Sequence, residues 1–221
     1  MMSLLHWIFA QYQSYSTLLM SLELIAVITG LISVLLVKRG NILAYPIGLI
    51  STSLYVYLLW QWQLFGDMLI NAYYTAMSLY GWLNWSKYSQ NLHIPISRTT
   101  RQEYAVSAVL ASVSFTFVTL IYYFKPLINN QFSWQGITLG WQHFTWMDYT
   151  DILTTGLFLV AMWLMARRKI EHWLLWIVAD AISVPLYWAK GLIFTSLQYA
   201  IFTAVAISAY WAWRKLWQQQ H

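Results

Sequence analysis

Apolar residues fall into seven runs along this chain, each about 20 residues long and bounded by polar or charged positions. A helix of about 20 residues crosses a hydrocarbon core of about 30 Å. The pattern therefore predicts an all-α polytopic membrane protein with seven transmembrane helices. The predicted spans are residues 18–37, 42–60, 67–85, 102–124, 146–166, 171–189 and 191–213.

The segments between the runs divide the chain. Residues 1–17 lack the basic start of a signal peptide and predict a short interfacial segment instead. Residues 125–145 are too polar to span, and residues 214–221 form a polar tail. The predicted plan is a three-helix unit at 18–85, a linker at 86–145 that contains the fourth span, and a second unit at 146–213.

Composition supports a membrane protein, because 60% of the residues are hydrophobic and only 9% are charged. An ordinary soluble domain is roughly 25% charged. The chain has no cysteine, which rules out disulfides and thiolate metal sites, and its five histidines show no metal-ligand spacing. We therefore predict no metal and no cofactor, and the sequence offers no nucleophile-base pair that would indicate an enzyme.

Basic residues are distributed asymmetrically between the predicted loops. Ten of them share the side that receives Lys38, and only Lys125 and Lys190 fall on the other side. Because cytoplasmic loops are rich in lysine and arginine, the sequence predicts the N-terminus outside and the C-terminus in the cytoplasm. Orientation thus accounts for the net charge of +5, and no nucleic-acid partner is predicted. The ten are Lys38, Arg39, Lys87, Arg98, Arg101, Arg167, Arg168, Lys169, Arg214 and Lys215.

Two stretches of the first unit resemble stretches of the second. Residues 50–55 (ISTSLY) resemble residues 182–187 (ISVPLY), an offset of 132, and residues 79–85 resemble residues 208–213 with an offset of 128. The two offsets predict a loop four residues longer between the second and third spans than between the sixth and seventh. Two three-helix units joined by one extra span have the same orientation, which predicts a parallel 3+1+3 repeat of the SWEET type.

Asp180 lies about halfway along the sixth apolar run, where a carboxylate costs several kcal/mol unless it faces a cavity or a partner. Trp173, Trp176 and Tyr187 share its helical face. An acid flanked by aromatic rings predicts a site for a delocalised organic cation, bound by charge and cation–π contacts. The alternative is that Asp180 bonds to a neighbouring helix and the tryptophans only fill the core.

Further candidates lie on the third and seventh spans. Asn71 and Tyr74 share a face with Thr75 and Ser78, and Gln198 and Tyr199 occupy corresponding turns with Thr195 and Phe202. Their polar groups suit a ligand with hydroxyl or amide groups, although such residues also hold membrane helices together. Asp67, Asp148 and Asp151 begin spans and are expected to cap helices, with attraction of a cation as the alternative.

Several motifs together resemble the PnuC family of bacterial vitamin transporters. They are Trp173-x-x-Trp176-x-x-x-Asp180, Leu186-Tyr187, Lys190-Gly191-Leu192, Ala44-Tyr45-Pro46-Ile47-Gly48-Leu49-Ile50 and Tyr80-Gly81-Trp82-x-x-Trp85. The resemblance implies a SWEET-like fold, a homotrimer in the bacterial inner membrane, and facilitated diffusion followed by trapping through cytoplasmic phosphorylation. It also implies that Trp173, Trp176 and Asp180 contact the substrate.

Within that family the sequence looks most similar to the thiamine (PnuT) branch, because the nicotinamide riboside branch has asparagine where this chain has Asp180. We therefore expect thiamine as the substrate, with nicotinamide riboside or a proton-coupled symporter of the same substrates as alternatives. Both vitamins are cations, so the acid alone does not separate them. A rhodopsin-type protein is excluded because the seventh span has no lysine, and the chain lacks the phosphate loop of an ATP-driven pump.

Overall fold

The computed structural model describes residues 17–61, 65–88, 95–189 and 193–220, and within these ranges the chain is helical with one short 3-10 turn at Trp141–His143. The seven helices confirm the all-α prediction, while the predicted interfacial segment lies almost wholly outside the described residues. They are α1 (Thr17–Lys38), α2 (Ala44–Gln61), α3 (Phe65–Ser86), α4 (Arg101–Asn129), α5 (Trp146–Ala166), α6 (His172–Ala189) and α7 (Ile193–Gln220).

Three of the described helices, α1, α4 and α5, are long and apolar enough to cross a membrane. Their outward surfaces suit lipid: on α4, for example, Val109, Val113 and Phe117 are exposed. The other four helices carry more tyrosine, tryptophan and hydroxyl side chains, so their transmembrane position stays a prediction. Helix α7 runs on through most of the predicted tail, as far as Gln220.

The described helices form two compact units, α1 to α3 before residue 95 and α4 to α7 from residue 95 onward. In the first unit, α2 packs against both α1 and α3. In the second, α6 packs against α5 and α7, and α4 packs against α5. The fourth helix, which the sequence plan treats as part of a linker, is therefore packed into the second unit.

Two helices of the second unit begin with a capping box. At the start of α4, the Thr100 hydroxyl accepts from the backbone N–H of Glu103, whose carboxylate accepts from the backbone N–H of Thr100. Thr145 and Asp148 make the same reciprocal bonds at the start of α5. Each box satisfies backbone donors that have no partner inside the helix. The capping role expected for Asp148 is confirmed.

Helices α1 and α5 end in the same turn. Gly40 and Arg168 both have positive φ, 64° and 63°, and each is followed by a residue whose N–H bonds to a carbonyl five residues earlier. This is the Schellman arrangement, which favours glycine because the left-handed conformation crowds a Cβ atom. Arg168 adopts it without that advantage, and its side chain donates to the Pro95 carbonyl at 3.3 Å.

The two three-helix sets follow one constant spacing. Gly40 and Arg168 are 128 residues apart, and the same spacing relates the ring pair Tyr45–Trp85 to the ring pair Trp173–Trp213. Both pairs meet edge to face, with centroids 4.7 and 6.0 Å apart. These buried pairs occupy the same place in each set, joining its second helix to its third.

The predicted offset of 132 for the second and sixth spans is therefore wrong, and the offset of 128 for the third and seventh is confirmed. Helices α2 and α6 end at Gln61 and Ala189, and the next helices begin at Phe65 and Ile193, so the two intervening loops are equally long. A slip of four residues returns a helix to nearly the same face. For that reason the wrong alignment still matched apolar positions with apolar positions.

A strap formed by residues 95–100 fastens the start of α4 to the loop between α5 and α6. Ser97 pairs with this loop through its backbone, donating to Arg168 O and accepting from Ile170 N, both at 3.0 Å. Beside it, the buried Glu103 carboxylate accepts from Lys169 Nζ at 2.9 Å and from Arg167 Nη2 at 3.1 Å. One acid thus balances two cations, and Lys169 is itself only 8% exposed.

We expect Glu103→Gln to destabilise the protein, because the amide leaves the buried Lys169 ammonium without a counter-ion. Breaking a buried pair in this way costs about 3 kcal/mol or more, which lowers the melting temperature of a chain this long by about 6 °C or more. Thermal unfolding in detergent measures the change. Arg101→Gln is the control because Arg101 is exposed on the same turn of α4, and equal melting temperatures for the two variants would contradict the role of Glu103.

Candidate substrate-binding site

Four aromatic side chains from three helices form a continuous row inside the second unit. Trp176 of α6 lies 5.3 Å from Phe158 of α5, and Phe158 stacks on Tyr199 of α7 at 6.0 Å. Tyr199 in turn stacks on Tyr187 of α6 at 5.0 Å, with the rings 17° apart. The predicted residues Trp176, Tyr187 and Tyr199 are thus brought together, and all three are only partly buried.

Asp180 lies on α6 between the two ends of this row, four residues after Trp176 and seven before Tyr187. It is 4% exposed. Among the described residues its carboxylate has no hydrogen-bond or ion-pair partner. Neighbouring Ser183 does not supply one, since its hydroxyl donates to the Ala179 carbonyl at 2.8 Å.

A buried carboxylate without a protein partner differs from the other acids of the second unit. Glu103 bonds to Lys169 and Arg167, Asp148 to Lys125 at 3.2 Å, and Asp151 to the Tyr122 hydroxyl at 2.7 Å. Each of those carboxylates stabilises the fold by a visible contact. The Asp180 carboxylate carries the desolvation cost of burial without such a contact, which is a common property of ligand-binding groups in membrane helices.

Trp173, predicted on the same face as Asp180, lies away from the aromatic row. It is 3% exposed and packs against Trp213, as Tyr45 packs against Trp85 in the first unit. His172, fully buried beside it, makes a further ring contact with each tryptophan. This placement favours a packing role for Trp173, with Trp176 as the tryptophan that can reach a ligand.

The polar candidates are more dispersed. Gln198 is exposed, one position before Tyr199, and it is not part of the row. Asn71 and Tyr74 belong to α3 in the first unit, where both are half-buried and where the neighbouring Thr75 hydroxyl donates to the Asn71 carbonyl at 2.9 Å. The structure thus joins three of the eight predicted residues in the row, with Asp180 between them on α6. The side chains of Asp67 and Thr195 lie outside the described part of the chain.

Phe158 is the residue that the sequence reasoning missed. It joins Trp176 to Tyr199, so it completes the row. In sequence it is one of ten phenylalanines and lies within an ordinary apolar span. No spacing or polar neighbour set it apart, because its contacts depend on how α5 packs against α6 and α7.

A separate cavity of about 480 Å³ lies where α4 ends and α5 begins. Its wall includes Tyr122, Lys125, His143 and both Asp148 and Asp151. The Lys125 ammonium is 4.9 Å from the centre of the Tyr122 ring and is paired with Asp148. The polar groups here are occupied by one another, so this cavity is a weaker candidate than the surroundings of Asp180. Within the described ranges, no group of three or more acidic or histidine side chains could hold a metal ion.

Comparison with known proteins places the chain among transporters. A family model described as "Nicotinamide mononucleotide transporter" matches residues 20–215. The nicotinamide riboside transporter PnuC of Escherichia coli is 29% identical, with 87% of this chain and 84% of that protein covered. The PnuC of Neisseria mucosa is 26% identical, covering 87% of this chain and 71% of that protein. The riboflavin/roseoflavin transporter RibM of Streptomyces davaonensis is 26% identical over 88% and 84%.

The fold also has a solved counterpart. The crystal structure of the vitamin B3 transporter PnuC matches with a TM-score of 0.62 and 20% identity, covering 99% of this chain and all of that one. That likeness supports the helical membrane fold. Since the family model covers nearly the whole chain, the protein belongs to the nicotinamide mononucleotide transporter family, the PnuC family that its motifs resemble, which is a family of transporters and not of enzymes.

Proposed function

We propose that the protein takes up a cationic vitamin across the bacterial inner membrane, and that nicotinamide riboside is its substrate. The observation that carries this proposal is the unpaired carboxylate of Asp180, buried beside Trp176 and the stacked rings of Tyr187 and Tyr199. A pyridinium ring has a permanent delocalised charge. It offers the carboxylate a counter-ion and the indole a flat face, so both groups gain on binding.

The relatives favour nicotinamide riboside over the thiamine that the sequence analysis placed first. Two of those described above are named for nicotinamide riboside and one for riboflavin. Riboflavin is neutral and leaves a buried carboxylate uncompensated, so Asp180 disfavours it. Thiamine retains the support of Asp180 itself, because its thiazolium ring carries the same charge, and it is the second candidate.

The mechanism that we propose is facilitated diffusion, made directional by phosphorylation of the vitamin in the cytoplasm. We also propose the 3+1+3 SWEET-like arrangement, a homotrimer, an external N-terminus and a cytoplasmic C-terminus. The asymmetry of the basic residues supports the orientation, and the constant spacing of 128 residues between the two helix sets supports the repeat. Asn71, Tyr74 and Gln198 remain sequence-based candidates for hydrogen bonds to the ribose or the amide.

Substrate choice is measured with proteoliposomes that contain the purified protein and are offered labelled nicotinamide riboside, thiamine or riboflavin. We expect saturable uptake of nicotinamide riboside, weaker uptake of thiamine, and riboflavin uptake no greater than in empty liposomes. Preferential uptake of thiamine would replace the proposed substrate with the second candidate. Uptake of riboflavin alone would contradict a cation site.

The role of Asp180 is measured by calorimetric titration of Asp180→Asn with nicotinamide riboside. We expect the binding free energy to weaken by about 1 to 3 kcal/mol, the scale of a lost charge-assisted contact. Glu171→Gln is the matched acid-to-amide control, since its carboxylate bonds to Thr99 at 2.7 Å and takes no part in the row. Equal affinities for Asp180→Asn and the wild type would show that the acid is structural.

The energy source is tested by collapsing ion gradients across the vesicles. A facilitator only equilibrates its substrate, so we expect the final internal concentration to equal the external one with or without a protonophore. Vesicles without the protein provide the leak control. Accumulation above the external concentration that disappears with the protonophore would instead indicate a proton-coupled symporter.

A further inference from the structure

Contacts at two levels fix which residues of α6 and α7 face each other. Trp173 meets Trp213, and Tyr187 meets Tyr199, so the two helices run antiparallel along their whole contact. Asp180 is seven residues from both Trp173 and Tyr187, which places it on the same face of α6, midway between these levels. The residues that face it on α7 therefore lie between Tyr199 and Trp213.

On α7, the positions Tyr199, Thr203, Ala206 and Trp213 recur at intervals of four, three and seven residues and so share one helical face. Both end positions contact α6, and Ala206 is only 2% exposed. Thr203 accordingly lies on the face that packs against α6, on the turns that pass Asp180. Its hydroxyl donates to the Tyr199 carbonyl of its own helix at 2.8 Å.

The first unit shows how this pair of positions behaves when both carry hydroxyls. With the constant spacing of 128 residues, Asp180 corresponds to Thr52 and Thr203 corresponds to Thr75. Thr75 Oγ1 lies 2.9 Å from Thr52 Oγ1 and also 2.9 Å from the Asn71 carbonyl. One hydroxyl proton thus has two acceptors, the carbonyl of its own helix and the side chain of the facing helix.

The second unit keeps the threonine on its third helix and replaces the facing threonine with a carboxylate. Thr203 makes the same bond to its own helix that Thr75 makes, at nearly the same length. The second acceptor for its proton is then Asp180, which is buried and has no partner among the described residues. A hydrogen bond that joins two helices in the first unit has become a polar pair available to a ligand.

We infer that Thr203 is a positioning residue for substrate binding: its hydroxyl holds one oxygen of the Asp180 carboxylate and so directs the other oxygen toward the organic cation. This inference rests on the proposed function, since it names a second residue of the same site. It also makes the site one-sided, because the Thr52–Thr75 pair of the first unit has no charge to offer. A hydrogen bond to an ionised acceptor strengthens the carboxylate's fixed orientation more than a bond to a neutral one.

The experiment titrates the purified full-length protein with nicotinamide riboside and with thiamine by calorimetry. Thr203→Val keeps the shape of the side chain and removes the hydroxyl, and we expect it to weaken binding about three- to tenfold. Thr203→Ser retains the hydroxyl and is expected to bind as tightly as the wild type. The matched control is Thr75→Val, which removes the corresponding hydroxyl of the first unit and is expected to leave the affinity within about twofold of the wild type.

A double-mutant cycle separates positioning from a general structural effect. If Thr203 acts through Asp180, Thr203→Val weakens binding in the wild-type background and changes it by less than about twofold in Asp180→Asn. A second cycle needs no ligand. Asp180→Thr recreates the threonine pair of the first unit, so its melting temperature is expected to fall when Thr203→Val is added, and to fall by more than Thr203→Val causes in the wild type.

The outcomes distinguish the inference from the proposed function. If Asp180→Asn weakens binding and Thr203→Val does not, or if Thr203→Val has the same effect in both backgrounds, the inference is overturned and the proposed function stands. If the wild type binds neither cation, or if Asp180→Asn binds as tightly as the wild type, the proposed function fails and the inference fails with it.

Discussion

A buried carboxylate with no protein partner has to be stabilised by what surrounds it, and the second unit of this chain is arranged around that requirement. Helix α6 carries Asp180 and lies between α5 and α7. Those two helices supply the aromatic rings that connect Trp176 to Tyr187. The rings keep the carboxylate away from bulk water while leaving flat surfaces next to it. A delocalised cation is the ligand that gains from both features, and a neutral one gains from only the second.

The rigidity that such a site needs comes from its flanks. At one end of α6, the edge-to-face pair of Trp173 and Trp213 fixes the helix against α7. Nearby, Glu103 binds Lys169 and Arg167, which holds α4 to the loop that leads into α6. These contacts use side chains that are themselves almost fully paired or packed. The one acid left without a partner among the described residues of this unit is thus set in a framework whose other charges are satisfied.

The internal repeat separates what the architecture requires from what binding requires. Helix ends, the turn at Gly40 and Arg168, and the ring pairs of Tyr45 and Trp173 keep the same spacing in both helix sets, because each set must pack three helices in the same way. The Thr52 position does not follow this rule, since its counterpart is Asp180. A substitution that costs stability without improving packing is best explained by the ligand that it serves.

The sequence alone determined the helical membrane fold, the family and the identity of the acid, because hydrophobic run length and an isolated charge are local properties of the chain. The spans matched the helices to within a few residues at most ends, although α4 and α7 run further than predicted. Only the tertiary structure decided the true spacing of the repeat, since helices shifted by one turn have nearly the same apolar pattern. It also decided that Trp173 lies in the core while Phe158 joins the aromatic row. These assignments depend on which helices touch, and a pattern along one helix does not contain that information.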